Sequence, residues 1–222
     1  MKTLSKEELE RGNEKRRRSW AKQALKYDKS IGFFERRVFG TDHRSWACSR
    51  AGGEVLEVAI GTGLNIPLYD PSVHLVGIDL STEMLDIARK RAVELNRPIE
   101  LREGDAHALP FTDAAFDAVV ATYALCNIPD PLRAVGEMKR VLRPCGRIIL
   151  VDHIRSAVKP VFWLQRAIEL VTVRVDGDHM TRRSVSHLKA HGFEITERER
   201  LGPTGVVERL VAVKHEPSNS AL

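Results

Sequence analysis

The sequence predicts an α/β protein with an open, mostly parallel sheet and helices on both of its faces. From Glu54 onward, apolar runs of strand length alternate with amphipathic helical stretches, and parallel neighbours in a sheet require such crossovers. Near the end of the chain, strand-like runs on both sides of "GPTG" (202–205) predict a pair of antiparallel strands. A chain of 222 residues with 43% hydrophobic and 29% charged residues suits one such domain.

Residues 1–50 predict a basic amphipathic helical segment ahead of the sheet. They hold 14 Lys and Arg against 7 Asp and Glu, whereas the rest of the chain holds 21 against 23. "SKEE", from Ser5, is a capping-box pattern and predicts that a helix begins there. Apolar residues at spacings of 3 and 4 then form one stripe on a helix that continues through Gly32 or is briefly interrupted there. The stripe consists of Trp20, Ala24, Tyr27, Ile31, Phe34 and Val38.

The other side of this predicted helix is cationic. An aromatic stripe beside a cationic face suits a helix that lies on an anionic membrane, and it suits equally a helix that caps the core with its lysines in water. The sequence leaves both interpretations open. The cationic residues are Lys15, Arg17, Arg18, Lys22, Lys26 and Lys29.

The sheet domain is expected over residues 51–215, and residues 216–222 are expected to form a flexible polar tail. The helix before the fifth strand should end after Val141, where Pro144 and Gly146 in "RPCG" stop it. The predicted strands are Glu54–Ile60, His74–Ile78, Ile99–Glu103, Ala115–Ala121 and Arg147–Val151, with two more inside 193–215. The predicted helices between them are Ile66–Tyr69, Ser81–Leu95 and Leu132–Val141.

Several classes of protein are excluded by composition and spacing. No apolar run approaches the roughly 20 residues of a membrane-spanning helix, and "MKTLSKEELE" lacks the apolar stretch of a secretory signal. Cys48, Cys126 and Cys145 lie far apart and the eight histidines are scattered, so we expect neither a disulfide framework nor a metal site. We therefore expect a cytoplasmic protein whose basic residues 1–40 can contact the anionic inner face of the membrane.

The first predicted strand opens into a glycine turn, "VLEVAIGTGLN" (55–65), where Gly61 and Gly63 permit close approach of a ligand. The second strand ends at Asp79, 18 residues after Gly61, where a carboxylate can accept both hydroxyls of a ribose. A nicotinamide dinucleotide also needs such an acid, but its fingerprint has a third glycine where this chain has Ile66. An adenosine ligand with a short charged tail is therefore favoured.

The ends of the third and fourth strands suit the rest of that ligand. Asp105 follows the third strand and can accept from the exocyclic amine of a purine. The fourth strand ends in "ATYALCNIPDP" (121–131), whose small and apolar residues can cover a flat ring. Because the carboxyl ends of parallel strands meet at one edge, these residues should share the crevice in which open α/β sheets bind ligands.

Five motifs in this order resemble those of class I S-adenosylmethionine-dependent methyltransferases over residues 50–215. They are "VLEVAIGTG", "GIDLS", "GDAHALPF", "ATYALCNIPDP" and "EMKRVLRPCGRIILVDH". The resemblance implies a Rossmann-like sheet of seven strands, with an antiparallel last strand, and S-adenosylmethionine as the cofactor. Ala59 departs from the family, which usually has a glycine there, and its methyl group narrows the pocket without removing the close approach at the two glycines.

The resemblance also implies which residues contact the cofactor. Glu57 and the two glycines would line the methionine half, Asp79 would hold the ribose, Met84 would pack on adenine, and Asp105 would meet the adenine edge. The full set is Tyr27, Glu57, Ala59, Gly61, Gly63, Asn65, Asp79, Leu80, Met84, Gly104, Asp105, Ala106 and Tyr123.

Methyl transfer from a sulfonium is an in-line displacement, so the protein mainly holds the reacting atoms collinear and dry. A base is needed only where the acceptor must lose a proton before attack. His153 is either such a base or a hydrogen-bonded structural histidine, and the sequence leaves both roles open. The candidates near the transfer point are Tyr123, Asn127, Asp152 and His153, with Asp178 in "DGDHMTRR" (176–183).

The basic N-terminal segment, the "LCNIPDP" loop and the insertion at residues 158–183 most resemble bacterial phosphatidylethanolamine N-methyltransferases. They also resemble membrane-associated methyltransferase-like proteins that act on thiols and, more loosely, the ubiquinone and menaquinone C-methyltransferases. The insertion is expected to form an apolar acceptor pocket or, alternatively, to cover the sheet edge. Its apolar residues are Phe162, Trp163, Leu164, Ile168, Leu170 and Val171.

Three functions follow, in order of preference. The first is peripheral methylation of phospholipid amines, with residues 1–40 docked on anionic lipid. The second is methylation of a soluble small molecule such as a quinone, a thiol or a natural product, in which case removal of residues 1–20 should leave turnover unchanged. The third, a non-catalytic nucleic-acid-binding module, is disfavoured because the aromatic residues share a stripe with aliphatic ones and form no stacking platform.

Overall fold

The computed structural model describes residues 4–175, 179–202 and 204–215, and within them the chain forms one seven-stranded sheet. The order of the strands is β3-β2-β1-β4-β5-β7-β6. Strands β1 to β5 pair in parallel, whereas β7 runs antiparallel to both β5 and β6. The predicted sheet and its antiparallel last strand are confirmed. The strands are β1 Glu54–Val58, β2 His74–Asp79, β3 Glu100–Glu103, β4 Phe116–Thr122, β5 Leu142–His153, β6 Glu194–Leu201 and β7 Val207–Val213.

Helices cover both faces of the sheet, as the sequence predicts. Helices α4 and α6 pack on one face, and α2 and α3 pack on the other. No helix within the described residues is long and apolar enough to cross a bilayer. The helices are α1 Lys6–Phe34, α2 His43–Cys48, α3 Thr82–Glu94, α4 Pro131–Val141, α5 Lys159–Val175 and α6 Ser184–Ala190.

Two apolar clusters, one on each face, form the core. Alternation along β4 supplies both clusters, since Val119 points into one and Val120 into the other. Met138 of α4 completes the first cluster and Leu85 of α3 the second, and all four side chains are fully buried. Because both faces of a parallel strand are covered, such a strand is apolar throughout, which made these strands predictable.

The boundaries of β1 and β5 differ from the prediction by more than one residue, because the backbone turns or bulges. β1 ends at Val58 rather than at Ile60, since Ala59 adopts a φ of 57°, in the left-handed region that breaks a strand. β5 begins at Leu142 rather than at Arg147, and its pairing with β4 contains a β-bulge.

The long helix α1 begins at the predicted capping box. The backbone N–H of Ser5 donates to Glu8 Oε2 at 2.7 Å, and the N–H of Glu8 donates to Ser5 Oγ at 3.2 Å. The helix passes through Gly32 without interruption and continues as a π-helical stretch, Glu35–Phe39.

Helix α1 is fastened to the sheet domain through Asp28. The hydroxyl of Thr62, in the glycine turn after β1, donates to Asp28 Oδ1 at 2.6 Å. Arg91 of α3 donates to the other carboxylate oxygen and to the Thr62 carbonyl. The segment that composition marks as separate is therefore anchored at the edge where the strands end.

Candidate functional site

A cavity lies at the carboxyl ends of β1, β2 and β4, under helix α1. Its empty volume is about 770 Å³, which includes the open mouth. The structure brings most of the predicted ligand residues together here. The predicted residues on its wall are Tyr27, Ala59, Gly61, Asp79, Leu80, Met84, Gly104, Asp105, Ala106, Tyr123 and Asn127.

The glycine turn and Asp79 form the centre of this wall. Gly61 has a φ of 57°, and a Cβ added to it would meet no atom within 4 Å, so the turn leaves open space there. Asp79 Oδ2 accepts from the N–H of Gly61 at 2.8 Å, and Oδ1 accepts from the N–H of Ser81 at 2.9 Å. Burial raises the pKa of Asp79, although these backbone donors oppose the rise. Each oxygen keeps a lone pair that can accept a ribose hydroxyl.

Gly63 and Glu57 lie behind the wall and shape the turn. A Cβ at Gly63 would come within 2.5 Å of Ile66 Cδ1, so the glycine there permits close packing against the following turn. Glu57 accepts from Asn65 Nδ2 and from the Tyr69 hydroxyl, each at 2.8 Å. Burial raises the pKa of Glu57 to about 7. The predicted cofactor contacts of Glu57, Gly63 and Asn65 are therefore not seen on the cavity wall and stay predictions.

Asp105 closes the opposite end of the cavity. Its Oδ1 is 2.6 Å from His107 Nδ1, and because His107 Nε2 accepts the N–H of Asp130, we assign the ring proton to Nδ1. Asn13 Nδ2 of α1 donates to Asp105 Oδ2 at 2.7 Å. Burial alone would raise the pKa of Asp105, but the hydrogen bonds from His107 and Asn13 outweigh it and lower the pKa. Asp105 thus stays an acceptor at neutral pH, and it sits where a purine amine can reach it.

Helix α1 forms the roof of the cavity. The sequence alone did not decide whether this helix would lie on a membrane or cap the core. Asn13, Arg16, Trp20 and Tyr27 line the cavity from above, and the rings of Trp20 and Tyr27 meet edge to face with centroids 5.7 Å apart. Arg16 Nε donates to the Asn127 carbonyl at 2.9 Å. Two residues of the predicted stripe, Trp20 and Tyr27, therefore cover the ligand crevice, whereas Phe34 of the same stripe is 48% exposed.

One cationic residue of α1 is placed differently from the prediction. Arg17, expected on the free face, donates from Nε to the Leu80 carbonyl at 3.2 Å and pairs with Glu103 at 3.2 Å. Asn13, Arg16 and Trp20 belong to the cavity itself, so the expectation that removal of residues 1–20 is harmless for a soluble acceptor stays a prediction that the structure does not favour.

Tyr123 and Asn127 stand at the end of β4, on the cavity wall. Tyr123 has a φ of 54°, which is strained for an aromatic residue, and such strain clusters at functional sites. Burial raises the pKa of Tyr123, so its phenol stays protonated at neutral pH. Asn127 Oδ1 is buried, and no described residue donates a hydrogen bond to it. This oxygen is available to a ligand.

His153 lies behind the wall with Asp152 and Cys126, and atoms of these three buried side chains come within 4.8 Å of one another. Asp152 accepts from the backbone N–H groups of Cys126 at 3.1 Å and His153 at 3.0 Å. These bonds favour a structural role for the cluster. Asp178 lies outside the described residues, as does the predicted tail at 216–222.

The apolar residues of the insertion lie on α5 and not on the wall of this cavity as far as the structure is described. Trp163, for example, is 66% exposed.

The structure also adds residues that the sequence did not single out. Asn13 and Arg16 carried no motif, and Arg44, which contacts Tyr123, could be found only once α2 was placed beside β4.

The residues of the cavity fit an adenosyl cofactor on their own chemistry. A buried carboxylate at the glycine turn, a carboxylate at the purine end and a roof of aromatic rings match a ribose, an amino-purine and a cation respectively. Asn127 Oδ1, buried and without a donor among the described residues, shows that the pocket is built to receive a polar group.

Comparisons with known proteins agree with this chemistry. Residues 56–150 match the family described as a methyltransferase domain. A phosphatidylethanolamine N-methyltransferase from Cereibacter sphaeroides is 40% identical over 155 residues, which are 68% of this chain and 74% of that protein. A demethylmenaquinone methyltransferase from Deinococcus radiodurans is 39% identical over 109 residues, which are 48% of this chain and 45% of that protein.

A solved structure of an S-adenosylmethionine-dependent methyltransferase from Thermotoga maritima shares the fold. It superposes with a TM-score of 0.68 at 20% identity and covers 89% of this chain and 99% of its own. Since the similarity at the sequence level extends over 74% of a methyltransferase, the chain belongs to the class I S-adenosylmethionine-dependent methyltransferases, and S-adenosylmethionine is its cofactor.

Proposed function

We propose that this enzyme methylates the amine of a phospholipid at the surface of an anionic membrane. The observation that carries the proposal is the polarity of α5, which turns its apolar side chains outward and its polar ones inward. Gln165 and Glu169 are buried, whereas Trp163 is 66% exposed. The exposed apolar side chains of this helix are Trp163, Leu164, Ile168, Leu170 and Val171.

The inverted polarity of α5 is fixed by hydrogen bonds. Gln165 Nε2 donates to the Ile154 carbonyl at 2.9 Å, and Gln165 Oε1 accepts from the N–H of Ser156 at 2.8 Å. Glu169 accepts from the Thr181 hydroxyl at 2.8 Å. The helix cannot rotate its apolar side inward without breaking these bonds. A contiguous apolar surface of this kind marks a site of contact with an apolar partner.

Cationic side chains of α1 lie next to this apolar surface. Lys15 Nζ donates to the Arg174 carbonyl at 2.5 Å, which places the middle of α1 beside the end of α5. A lipid surface with anionic head groups suits the combination, because each lysine or arginine near such a surface contributes about 1 kcal/mol of attraction. The other exposed cations of α1 are Lys6, Arg11, Arg18, Lys22, Lys26 and Lys29.

The segment after α5 connects this surface to the cavity. The N–H of His179 donates to the Cys126 carbonyl at 3.0 Å, and Arg182 Nη1 donates to the Leu125 carbonyl at 2.7 Å. Both carbonyls belong to the loop that carries Asn127, on the cavity wall. A lipid held at α5 would thus have its head group near the wall formed by the end of β4.

The cofactor, when bound, supplies an electrophilic methyl group. The part of the protein is to hold the acceptor nitrogen in line and to exclude water. Asn127 Oδ1 is placed to accept an N–H of the acceptor amine and so orient its lone pair, and the neutral phenol of Tyr123 can donate one hydrogen bond as well as accept. Trp20 and Tyr27 keep the site dry from above.

A second candidate acceptor is a quinone, because several relatives of this chain are demethylmenaquinone methyltransferases. One from Thermus thermophilus is 38% identical over 124 residues, which are 51% of this chain and 56% of that protein. The chain thus spans about half the length of these relatives, compared with 74% of the phosphatidylethanolamine N-methyltransferase. The aromatic roof suits a flat quinone ring as well as a cation.

The test offers both acceptors to the full chain with methyl-labelled cofactor. Anionic vesicles of phosphatidylglycerol carry either phosphatidylethanolamine or a demethylated menaquinone kept reduced to the quinol with dithionite, because only the reduced ring is nucleophilic. Mass spectrometry locates the label. We expect label on the ethanolamine nitrogen and co-sedimentation of the protein with the vesicles. Label on the quinone alone would replace the first acceptor with the second, and no label on either would reject both.

A matched pair of variants tests the role of α5. Trp163→Ser removes a side chain that is 66% exposed on α5, and Val93→Ser removes one that is 80% exposed on α3, on another part of the surface. We expect only Trp163→Ser to weaken vesicle binding, by about 10-fold, as burial of one aromatic side chain implies. Equal losses in both variants would contradict the docking surface.

A further inference from the structure

Three different kinds of metal-ligating side chain meet behind the wall of the cavity. Cys126 follows β4, and Asp152 and His153 end β5, the strand that pairs with β4. The ligating atoms of the three side chains all lie within 4.8 Å of one another. Cys126 stands 26 residues before Asp152, so no spacing motif marks the set, which is why the sequence predicted no metal site.

All three side chains are buried, so the charges that a metal would neutralise lie away from water. Burial raises the pKa of Tyr123, and nearby negative charges, among them that of Asp152, add to the rise. Anionic side chains are costly to bury unless a positive charge compensates them. One divalent ion would compensate both the Asp152 carboxylate and a Cys126 thiolate, because a histidine ligand is neutral.

Hydrogen bonds hold two of these side chains in place. Asn127 Nδ2 donates to Cys126 Sγ at 3.2 Å, a contact that favours the thiolate form. The Asp152 oxygens accept from the backbone N–H groups of Cys126 at 3.1 Å and His153 at 3.0 Å, one on each oxygen. Each oxygen keeps a second lone pair, and ligating side chains in metal sites are oriented by partners of this kind.

The mixture of ligand atoms identifies the class of metal. Sulfur, imidazole nitrogen and carboxylate oxygen together suit Zn²⁺, whereas Mg²⁺ and Ca²⁺ take oxygen ligands. Three protein ligands is the number found in zinc sites that keep a fourth position for water or a substrate atom.

We propose that Cys126, Asp152 and His153 bind one Zn²⁺ ion beside the cavity. The ion would join the end of β5 to the loop after β4 and, through the thiolate, would hold the Asn127 amide on the cavity wall. The proposal does not depend on which acceptor is methylated.

The test measures metal binding by the full chain, kept reduced and freed of metal with a chelator that is then removed. Zn²⁺ alone is titrated in competition with a chromogenic chelator, and we expect one tight site per chain. Co²⁺ then takes the place of Zn²⁺, since a thiolate ligand gives a sulfur-to-cobalt charge-transfer band in the near ultraviolet. We expect this band, and cobalt binding without it would overturn the proposal.

A double variant assigns the band without altering the proposed site. The chain has three cysteines, so Cys48→Ser combined with Cys145→Ser leaves Cys126 as the remaining one. We expect this variant to bind Zn²⁺ as the unaltered protein does and to keep the cobalt band. Loss of the band in this variant would show that a cysteine outside the cluster is the ligand.

Removal of a ligand should have the opposite result. We expect Cys126→Ser to lose the band, and both Cys126→Ser and His153→Gln to bind Zn²⁺ more than about 100-fold more weakly, because loss of a supporting partner alone typically costs 10- to 100-fold. If either variant binds Zn²⁺ as tightly as the double variant, the three side chains do not form the site. Because neither cofactor nor acceptor is present, failure of the phospholipid proposal would leave these results unaffected.

Discussion

At the scale of single residues, Asp79 shows how a backbone turn prepares a ligand site. Two backbone N–H groups, from Gly61 at 2.8 Å and Ser81 at 2.9 Å, each bind a different oxygen of the carboxylate. The side chain is therefore oriented before any ligand arrives, which lowers the entropic cost of binding.

The change Asp79→Asn should weaken binding of S-adenosylhomocysteine by about 10- to 100-fold, because an amide places a donor against a backbone N–H and removes one acceptor. Calorimetry measures the loss. Asp70→Asn is the matched control, since Asp70 accepts from the N–H of Ser72 at 2.9 Å in an exposed turn. If both variants bind equally well, Asp79 is not a ligand.

The two glycines of the turn should behave differently when replaced by alanine. Gly63→Ala forces a Cβ to within 2.5 Å of Ile66 Cδ1 at a φ of 77°, so we expect the free energy of unfolding to fall by about 2–4 kcal/mol. Gly61→Ala meets open space at a φ of 57°, so the loss of stability should be smaller, about 1–2 kcal/mol. Urea unfolding measures both, and a larger loss at Gly61 would contradict the assigned roles.

His187 of α6 should make the fold sensitive to acid. Burial, aided by Arg182, lowers its pKa to about 4 from 6.5, so the folded protein keeps the ring neutral. Between those pH values the unfolded chain binds a proton that the folded chain does not, and stability falls as the pH drops, by at most about 1.4 kcal/mol per pH unit. His187→Gln should flatten this dependence in urea unfolding measured from pH 7 to pH 4.

Glu57, whose pKa is raised to about 7, acts in the opposite direction, so only the difference between unaltered protein and variant isolates the histidine. His74→Gln, at a side chain that is 76% exposed, provides the comparison. An identical pH profile for His187→Gln and the unaltered protein would show that His187 is not the responsible group.

Sequence patterns predicted the residues that belong to a local motif. Gly61, Asp79 and Asp105 follow strands directly, so their meeting at one sheet edge was predictable. Asn13 and Arg44 reach the site through α1 and α2, which have no fixed spacing to the strands. Their roles depend on tertiary packing and required the structure.

At the scale of secondary-structure elements, the packing of α1 was the hardest feature to predict. Its stripe was predictable from spacing, but the same amphipathic pattern suits a membrane, a core or a ligand. Hydrogen bonds show that this side of α1 packs on the ligand cavity, since Asn13 binds Asp105 at 2.7 Å and Arg16 binds the Asn127 carbonyl at 2.9 Å. The helix covers the cavity with one face, to which Arg16 and Arg17 contribute, and leaves its lysines exposed.

Because α1 covers the cavity, we expect two variants of this helix to differ in ligand binding. Trp20→Ala removes a ring from the cavity wall and should weaken binding of S-adenosylhomocysteine by about 10-fold, within the usual range for an aromatic ring against a base. Leu25→Ala, at a side chain that is 90% exposed on the same helix, should leave binding unchanged. Equal affinities in calorimetry would mean that α1 is not part of the cofactor site.

In most surface helices the apolar side chains face the core and the polar ones face water, and α5 has the opposite arrangement. The sequence could not show which side of this helix faces water. Its apolar residues were expected to line a pocket or to cover the sheet edge, yet the capacity of Gln165 and Glu169 for hydrogen bonds turns those two inward. Buried polar side chains with complete partners can determine orientation more strongly than apolar content does.

At the scale of the whole molecule, the order of the strands determines where the ligand binds. Between β1 and β4 the chain changes direction across the sheet, and ligands of open α/β sheets bind at such switch points. The five parallel strands and the antiparallel pair at the end of the chain were predictable because buried parallel strands and hairpins leave clear patterns, whereas the order of the strands in the sheet was not predicted from those patterns. The packing of α1 and α5 over that sheet was not predictable, because the sequence of a surface helix does not indicate where on the sheet the helix packs.

The cofactor is expected to bind at the edge between β1 and β4, enclosed by α1. Hydrogen–deuterium exchange of the full chain, with and without S-adenosylhomocysteine, reports on all of these segments at once. We predict slower exchange with ligand at three places, namely the glycine turn at 61–63, the end of β2 at 79–81 and residues 13–27 of α1. Protection elsewhere, with these three segments unchanged, would contradict the account.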